Sequence, residues 1–386
     1  MPTAAEVAPL ATASNALAFD LWAKTAASGN VAMSPASISL ALAMTYGGAK
    51  GETAAQMKQV LHLTGDADAA MIGWGTLAGA LQAPDRKLKL RIANRLFGEE
   101  TYTFESPYLE RTKAAFGAPL EPTDFIHGAD AARDHINGWI ADQTEKRIKD
   151  LLPPRALTAA TRLVLVNAIY FLADWEQPFE KLATSPEPFT LAPGKTSPVP
   201  TMHAQAHARL AKVDGVKMLE LRYAGGDAAM WIVLPDKPDG LAAVEHGLDP
   251  ARLGTWKAAL TAQPVAIALP KFTIDPADAL DLATPLAALG MARAFDAEKA
   301  DFTGIAVDPD PAKRLYISRV IHKSFVKVDE KGTEAAAATA VVMPTGMGRP
   351  EPAEPFVADH PFLFFIVDRA SGLVLFMGRV ADPAGS

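Results

Sequence analysis

Ten consecutive residues, Leu163 to Leu172 (Leu-Val-Leu-Val-Asn-Ala-Ile-Tyr-Phe-Leu), carry apolar side chains on both faces of a strand, with one asparagine among them. Side chains of a strand alternate between its two sides. A run with no polar side is therefore expected to be a central strand, covered above and below. Asn167 breaks the pattern at a position where an unpaired amide would be costly, so it is expected to belong to a polar network inside the sheet.

Around this strand the periodicity alternates between helical and strand-like blocks with no regular repeat, which predicts an α+β fold. Apolar residues recur at helical spacing over 11–26, 35–46, 53–63 and 129–149. Ser34 before Pro35 supplies an N-cap with proline at the first helical position. Gly47 to Gly51 reads as the turn that ends this helix. Strands are predicted at 88–92, 265–274 and 318–329, with a C-terminal hairpin of 362–368 and 373–379 around Ala370, Ser371 and Gly372. The 386 residues include 49% hydrophobic ones, enough for an extensive core, and no linker divides them. One domain over 1–386 is the expectation.

Glu330 to Ala340 (Glu-Lys-Gly-Thr-Glu-Ala-Ala-Ala-Ala-Thr-Ala) follows the predicted strand 318–329 directly. Four alanines favour helix when taken alone, but the segment joins strand-like flanks, and Val341, Val342 and Pro344 break helical preference. Thr333, Ala335, Ala337 and Thr339 occupy alternate positions, so the segment could lay a face of small side chains on a core if it entered a sheet. Such a segment is suited to move, and the protein is expected to work by changing shape.

The charge of −7, with scattered Lys and Arg, argues against a nucleic-acid partner. Zero cysteines rule out disulfides, thiol catalysis and Cys-based zinc sites. No signal peptide is visible in the first residues, and no run of about 18 apolar residues is present to span a bilayer. Enzyme motifs are scarce. Ser324 and Lys327 fit a Ser-x-x-Lys pattern, but the partner motifs of a penicillin-binding enzyme or lactamase are absent. His203 and His207 have the spacing of a zinc pair on a helix, without a third ligand. No metal, no cofactor and no enzymatic activity are expected.

Four blocks in order resemble the serpin family of protease inhibitors: Asn30 to Ile38, Leu165 to Phe179, Val328 to Ala338 and Phe356 to Ile366. The resemblance extends from about 30 to 382. It implies a fold of three β-sheets and eight or nine helices with an exposed reactive-centre loop, here about 333–358. It also implies suicide inhibition of a serine protease: the protease forms an acyl-enzyme on the loop, and the cut loop inserts into the main sheet with the protease attached. About 14 inserted residues at roughly 3.4 Å each span about 48 Å. A protease distorted by that journey loses its oxyanion geometry and cannot deacylate. The native state would then be metastable.

The resemblance assigns roles to particular residues. Gly332, Thr333, Glu334, Ala335, Ala336, Ala337, Ala338 and Thr339 form the hinge, whose small residues suit an inhibitor. The alternative is a non-inhibitory serpin acting as a binding or folding protein. Ser34, Ser37, Asn167 and His322 match the cluster that controls sheet opening, and Glu330, Lys271 and Trp175 match a group at the top of the sheet. The favoured reactive bond is Met347–Gly348, with Gly346–Met347 as the alternative. This suits elastase-, chymotrypsin- or subtilisin-like serine proteases, with a cysteine protease as a further target, and Pro350 hinders trypsin-like cleavage after Arg349. The family implies a monomer in an extracellular or periplasmic setting, while the missing signal leaves a cytoplasmic one open. No glycosaminoglycan partner is expected, because 66–81 contains no Lys or Arg. An Ala-rich chain without disulfides or sorting signals points to a prokaryotic member.

Overall fold

The strand Leu163–Asp174 runs through the middle of a six-stranded sheet. The computed structural model describes residues 4–25, 29–308, 310, 314–333 and 352–385. On one side this strand pairs antiparallel with Lys89–Glu99, from Leu163↔Gly98 to Leu172↔Lys89. On its other side lies Gly332–Thr333, followed by Val326–Val328 and Phe272–Ile274. Leu120–Thr123 closes the far edge in parallel. The doubly apolar pattern has its cause in this position: Ile169, Phe171 and Ala173 pack into one core, and Val166 into another.

A nine-stranded sheet lies behind. Its C-terminal strands, Phe362–Asp368 and Val374–Val380, are fully buried. Phe362, Phe364 and Ile366 face one core, while Leu363, Phe365 and Val367 face a second. The described residues include nine α-helices and a third, two-stranded sheet. Together these give the α+β fold that the periodicity predicts, with the three sheets that the family resemblance implies. The helix Pro35–Tyr46 packs between the sheets, and the Ser34 side chain caps it by accepting from the Ser37 N–H at 3.2 Å.

Several boundaries differ from the sequence expectation. The strand expected over 88–92 extends to Glu99, because Asn94 and Arg95 find tertiary partners: Asn94 donates to the Phe116 carbonyl, and Arg95 pairs with Glu121. The expected strand 265–274 is two strands in different sheets, Thr261–Pro270 and Phe272–Ile274. The chain turns at Lys271, whose N–H donates to the Pro200 carbonyl. The strand expected over 318–329 also divides: Ile321–His322 joins the small sheet, and Val326–Val328 joins the main one. Both ends of the loop expected at about 333–358 are strands, with Thr333 in the main sheet and Glu354–Val357 paired in parallel with Val265–Ala268.

Candidate functional site

Gly332 and Thr333 enter the main sheet between two strands that are otherwise unpaired with one another at this level. Gly332 lies opposite Asp174, and Thr333 lies opposite Ala173 on one side and Val328 on the other. Glycine is required at 332 by close approach: a Cβ there would sit 2.0 Å from the Ala173 carbonyl oxygen. Thr333 is 3% exposed, and its hydroxyl is 2.6 Å from the Tyr223 hydroxyl. The Tyr223 ring stacks on Trp175 at 4.6 Å between centroids, with 11° between planes. The segment after Trp175 holds the approach to the hinge. The Trp175 indole N–H donates to the Asp329 carbonyl, its backbone N–H to Lys331, and the Phe179 N–H to Glu330.

The Glu330 carboxylate is largely buried and is met by Lys271 Nζ at 2.9 Å and by the Thr184 hydroxyl at 2.9 Å. Burial alone would raise its pKa; bonds from Lys271, backbone and Thr184 outweigh this and hold it below the ordinary carboxylate range. Lys271 reaches this carboxylate because it occupies the corner between two sheets. Glu330, Lys271 and Trp175 are thus brought together where Gly332–Thr333 enters the main sheet.

In the small two-stranded sheet, His322 Nε2 accepts from the Ser34 N–H at 2.9 Å and lies 2.9 Å from the Ser324 hydroxyl. The Ser34 hydroxyl donates to the Leu375 carbonyl at 2.6 Å. A ring nitrogen that accepts a backbone N–H cannot also hold a proton toward it, and full burial pushes the His322 pKa down to about 4. Ser34, Ser37 and His322 therefore converge, while Asn167 takes its place in the central strand opposite Asn94. The positions 334–339 of the hinge and both expected reactive bonds, at Gly346, Met347 and Gly348, lie outside the described residues.

Tyr223, Thr184 and Ser324 are members of these clusters that sequence reasoning did not assign. Tyr223 sits in an ordinary turn sequence and gives no local signal. Ser324 attracted notice only as part of Ser-x-x-Lys, yet it is 1% exposed and bonded to His322, in a position unlike the helix start that motif needs. His203 and His207 lie on the strand Lys195–Val213, so the helical spacing does not apply, and His203 pairs with Glu187 at 2.9 Å. No group of three metal-ligating side chains is found among the described residues.

The close approach at Gly332 makes a direct prediction. Gly332→Ala is expected to drive the hinge out of the sheet, with amide exchange at Thr333 accelerated by about tenfold or more. Unchanged exchange at Thr333 would show that the Ala173 carbonyl yields instead.

Residues 12–383 match the family described as serpin (serine protease inhibitor). The chain is 40% identical over 362 residues to serpin B6 of Macaca fascicularis, covering 92% of this chain and 94% of that protein. It is also 40% identical over 363 residues to the leukocyte elastase inhibitor of Bos taurus, covering 92% and 93%. Among solved structures, cleaved Serpin 42Da superposes with a TM-score of 0.86 at 29% identity, covering 98% of this chain and 99% of that one. Both sequence relatives are mammalian, so the expectation of a prokaryotic member finds no support in them. With a family match over residues 12–383 and a fold shared with a solved serpin, the chain belongs to the serpin family.

Proposed function

We propose that this serpin traps serine proteases as a suicide substrate, as a single 1–386 domain acting without cofactor. The observation that carries the reading is the two-residue strand Gly332–Thr333, which starts a new central strand in the main sheet. If the same register continued downward, Ala335 and Ala337 would lie opposite Phe171 and Ile169, and Thr339 would arrive between Asn167 and His322. The small side chains at alternate positions suit that descent. The cluster of Ser34, Ser37 and His322 stands where the growing strand would need the sheet to part. Each added residue pairs backbone groups on both sides, so insertion supplies the driving force that outruns hydrolysis of the acyl-enzyme.

Met347–Gly348 is the reactive bond on this reading, with Gly346–Met347 as the alternative. Elastase-, chymotrypsin- or subtilisin-like serine proteases are the targets, and the relative named as a leukocyte elastase inhibitor supports the first of these. The family relatives are inhibitors, which supports a non-enzymatic role.

Incubation with elastase, chymotrypsin, subtilisin and trypsin, followed by denaturing electrophoresis and mass spectrometry of the released peptide, tests the reading. A complex that survives SDS, with a released peptide beginning at Gly348 or Met347, is the expected result. Clean cleavage by all four enzymes without a complex would overturn it and favour a non-inhibitory binding role.

A further inference from the structure

A second site opens where the nine-stranded sheet forks. The strands Lys195–Val213 and Val216–Arg222 pair from Val213↔Val216 to Arg209↔Glu220, and then part. Beyond that point the two strands no longer pair with each other: Lys195–Val213 runs on with Thr261–Pro270 and then Ser185–Ala192, and Val216–Arg222 runs on with Ala228–Pro235. The segment from Trp175 to Phe179 crosses the opening, with the Glu176 N–H bonded to the Arg222 carbonyl. A cavity of about 170 Å³ remains inside the fork. Ala204, Ala206 and Ala208 line one arm, and their side chains are too short to fill the gap. Trp175, Phe179, Leu221 and Ile267 supply the rest of the apolar wall.

The polar side of the cavity sets Arg209, Arg222 and His207 against Glu220 and Glu176. Glu220 is 4% exposed and accepts from the Trp231 indole N–H at 3.0 Å. Arg209 Nη1 lies 3.6 Å from the same carboxylate, and Arg222 Nε lies 3.4 Å from it. Two guanidiniums thus share one buried carboxylate. The terminal nitrogens of Arg222, and the ring of His207, which also lines the cavity, have no protein partner among the described residues. Glu176 also lines the cavity and is exposed, as Arg222 and His207 are, so all three stand at its solvent-facing mouth. A planar guanidinium with free nitrogens is matched by a carboxylate, which accepts two parallel N–H bonds.

We infer that this fork is a binding site for a small monocarboxylate with an apolar body. The carboxylate sits on Arg222 and His207, and the body lies between the alanine arm and Trp175. The volume falls below the roughly 300–1,000 Å³ of pockets for drug-sized ligands, which restricts the occupant to a short acyl or single-ring acid. The same wall that would touch the ligand bonds to Asp329, Glu330 and Lys331 through Trp175 and Phe179. Occupancy therefore buttresses the entrance to the hinge and raises the thermal stability of the uncleaved protein by mass action.

Calorimetric titration of the uncleaved full chain with octanoate, in parallel with octylammonium, tests the site without any protease, so its failure is separate from failure of the inhibitory reading. Octanoate is expected to saturate one site, octylammonium to give none, and Arg222→Ala to weaken octanoate by about tenfold or more. Ala206→Leu, which fills the fork, is expected to abolish binding. Should that variant not fold, magnetisation transfer from octanoate protons to the Trp175 indole in the unsubstituted chain, assigned with Trp175→Phe, places the ligand instead. Absence of saturation, equal binding of octylammonium, undiminished binding to Arg222→Ala, or no transfer to Trp175 would each overturn the assignment.

Discussion

Thr333→Arg is expected to abolish the SDS-stable protease complex while leaving cleavage of the loop intact. Thr333 occupies a closed position, 3% exposed, with its hydroxyl on Tyr223 and strands on both sides. An arginine there would bury an unpaired charge against the Trp175–Tyr223 stack, which costs several kcal/mol. The two fates of the acyl-enzyme, insertion and hydrolysis, compete by rate. Raising the insertion barrier by about 3 kcal/mol shifts their ratio more than 100-fold. The variant should then be turned over as a substrate, with active protease recovered at the end. Gel electrophoresis and residual protease activity read both outcomes; a full yield of complex would remove the insertion of this residue from the mechanism.

Acidification from pH 7 to pH 4 is expected to cost about 3 kcal/mol of stability through His322 alone. Burial pushes its pKa down to about 4, from an ordinary value of 6.5. Between these values the unfolded chain takes up a proton that the folded ring does not accept. The contribution is therefore fully present above pH 6.5, declines as pH falls and is gone near pH 4. Glu330 is also lowered, but its contribution is lost only as pH falls below the ordinary carboxylate value of 4.5, so pH 6.5 to 4.5 reports chiefly on His322. Urea unfolding at several pH values should show a flatter dependence in His322→Gln than in the unsubstituted chain. Identical slopes would exclude His322 as the titrating group. Because His322 joins Ser34 to Ser324 beneath the opening of the sheet, the same acidification is expected to loosen the main sheet where a strand would enter.

The main sheet was legible in the sequence because burial on both faces leaves a local signature. The run from Leu163 needed no partner to be recognised as central, and Ser34–Pro35 marked a helix start by capping chemistry that acts over three residues. The small alternating side chains after Gly332 fall on residues 334–339, outside the described ones, while the order of four motif blocks pointed to the family. Lys89–Glu99 was cut short in the sequence reading because the partners of its polar residues, Phe116 and Glu121, come from elsewhere in the chain.

Tertiary structure alone decided what those residues meet. Tyr223 lies 110 positions from Thr333, and Ser34 lies 288 from His322. Contacts at such separation depend on how two sheets are laid over each other, and no local propensity encodes that. The glycine at 332 shows the division clearly: the resemblance placed it only as a member of the hinge, whereas the fold requires glycine because the Ala173 carbonyl leaves no room for a Cβ. The fork at Arg209 and Glu220 was equally silent, since divergence of two strands is a property of the sheets they join and not of either strand. Sequence determined which segments form strands and helices, because periodicity and capping act locally. The fold decided which polar groups are buried together, because close packing joins residues that the chain itself keeps far apart.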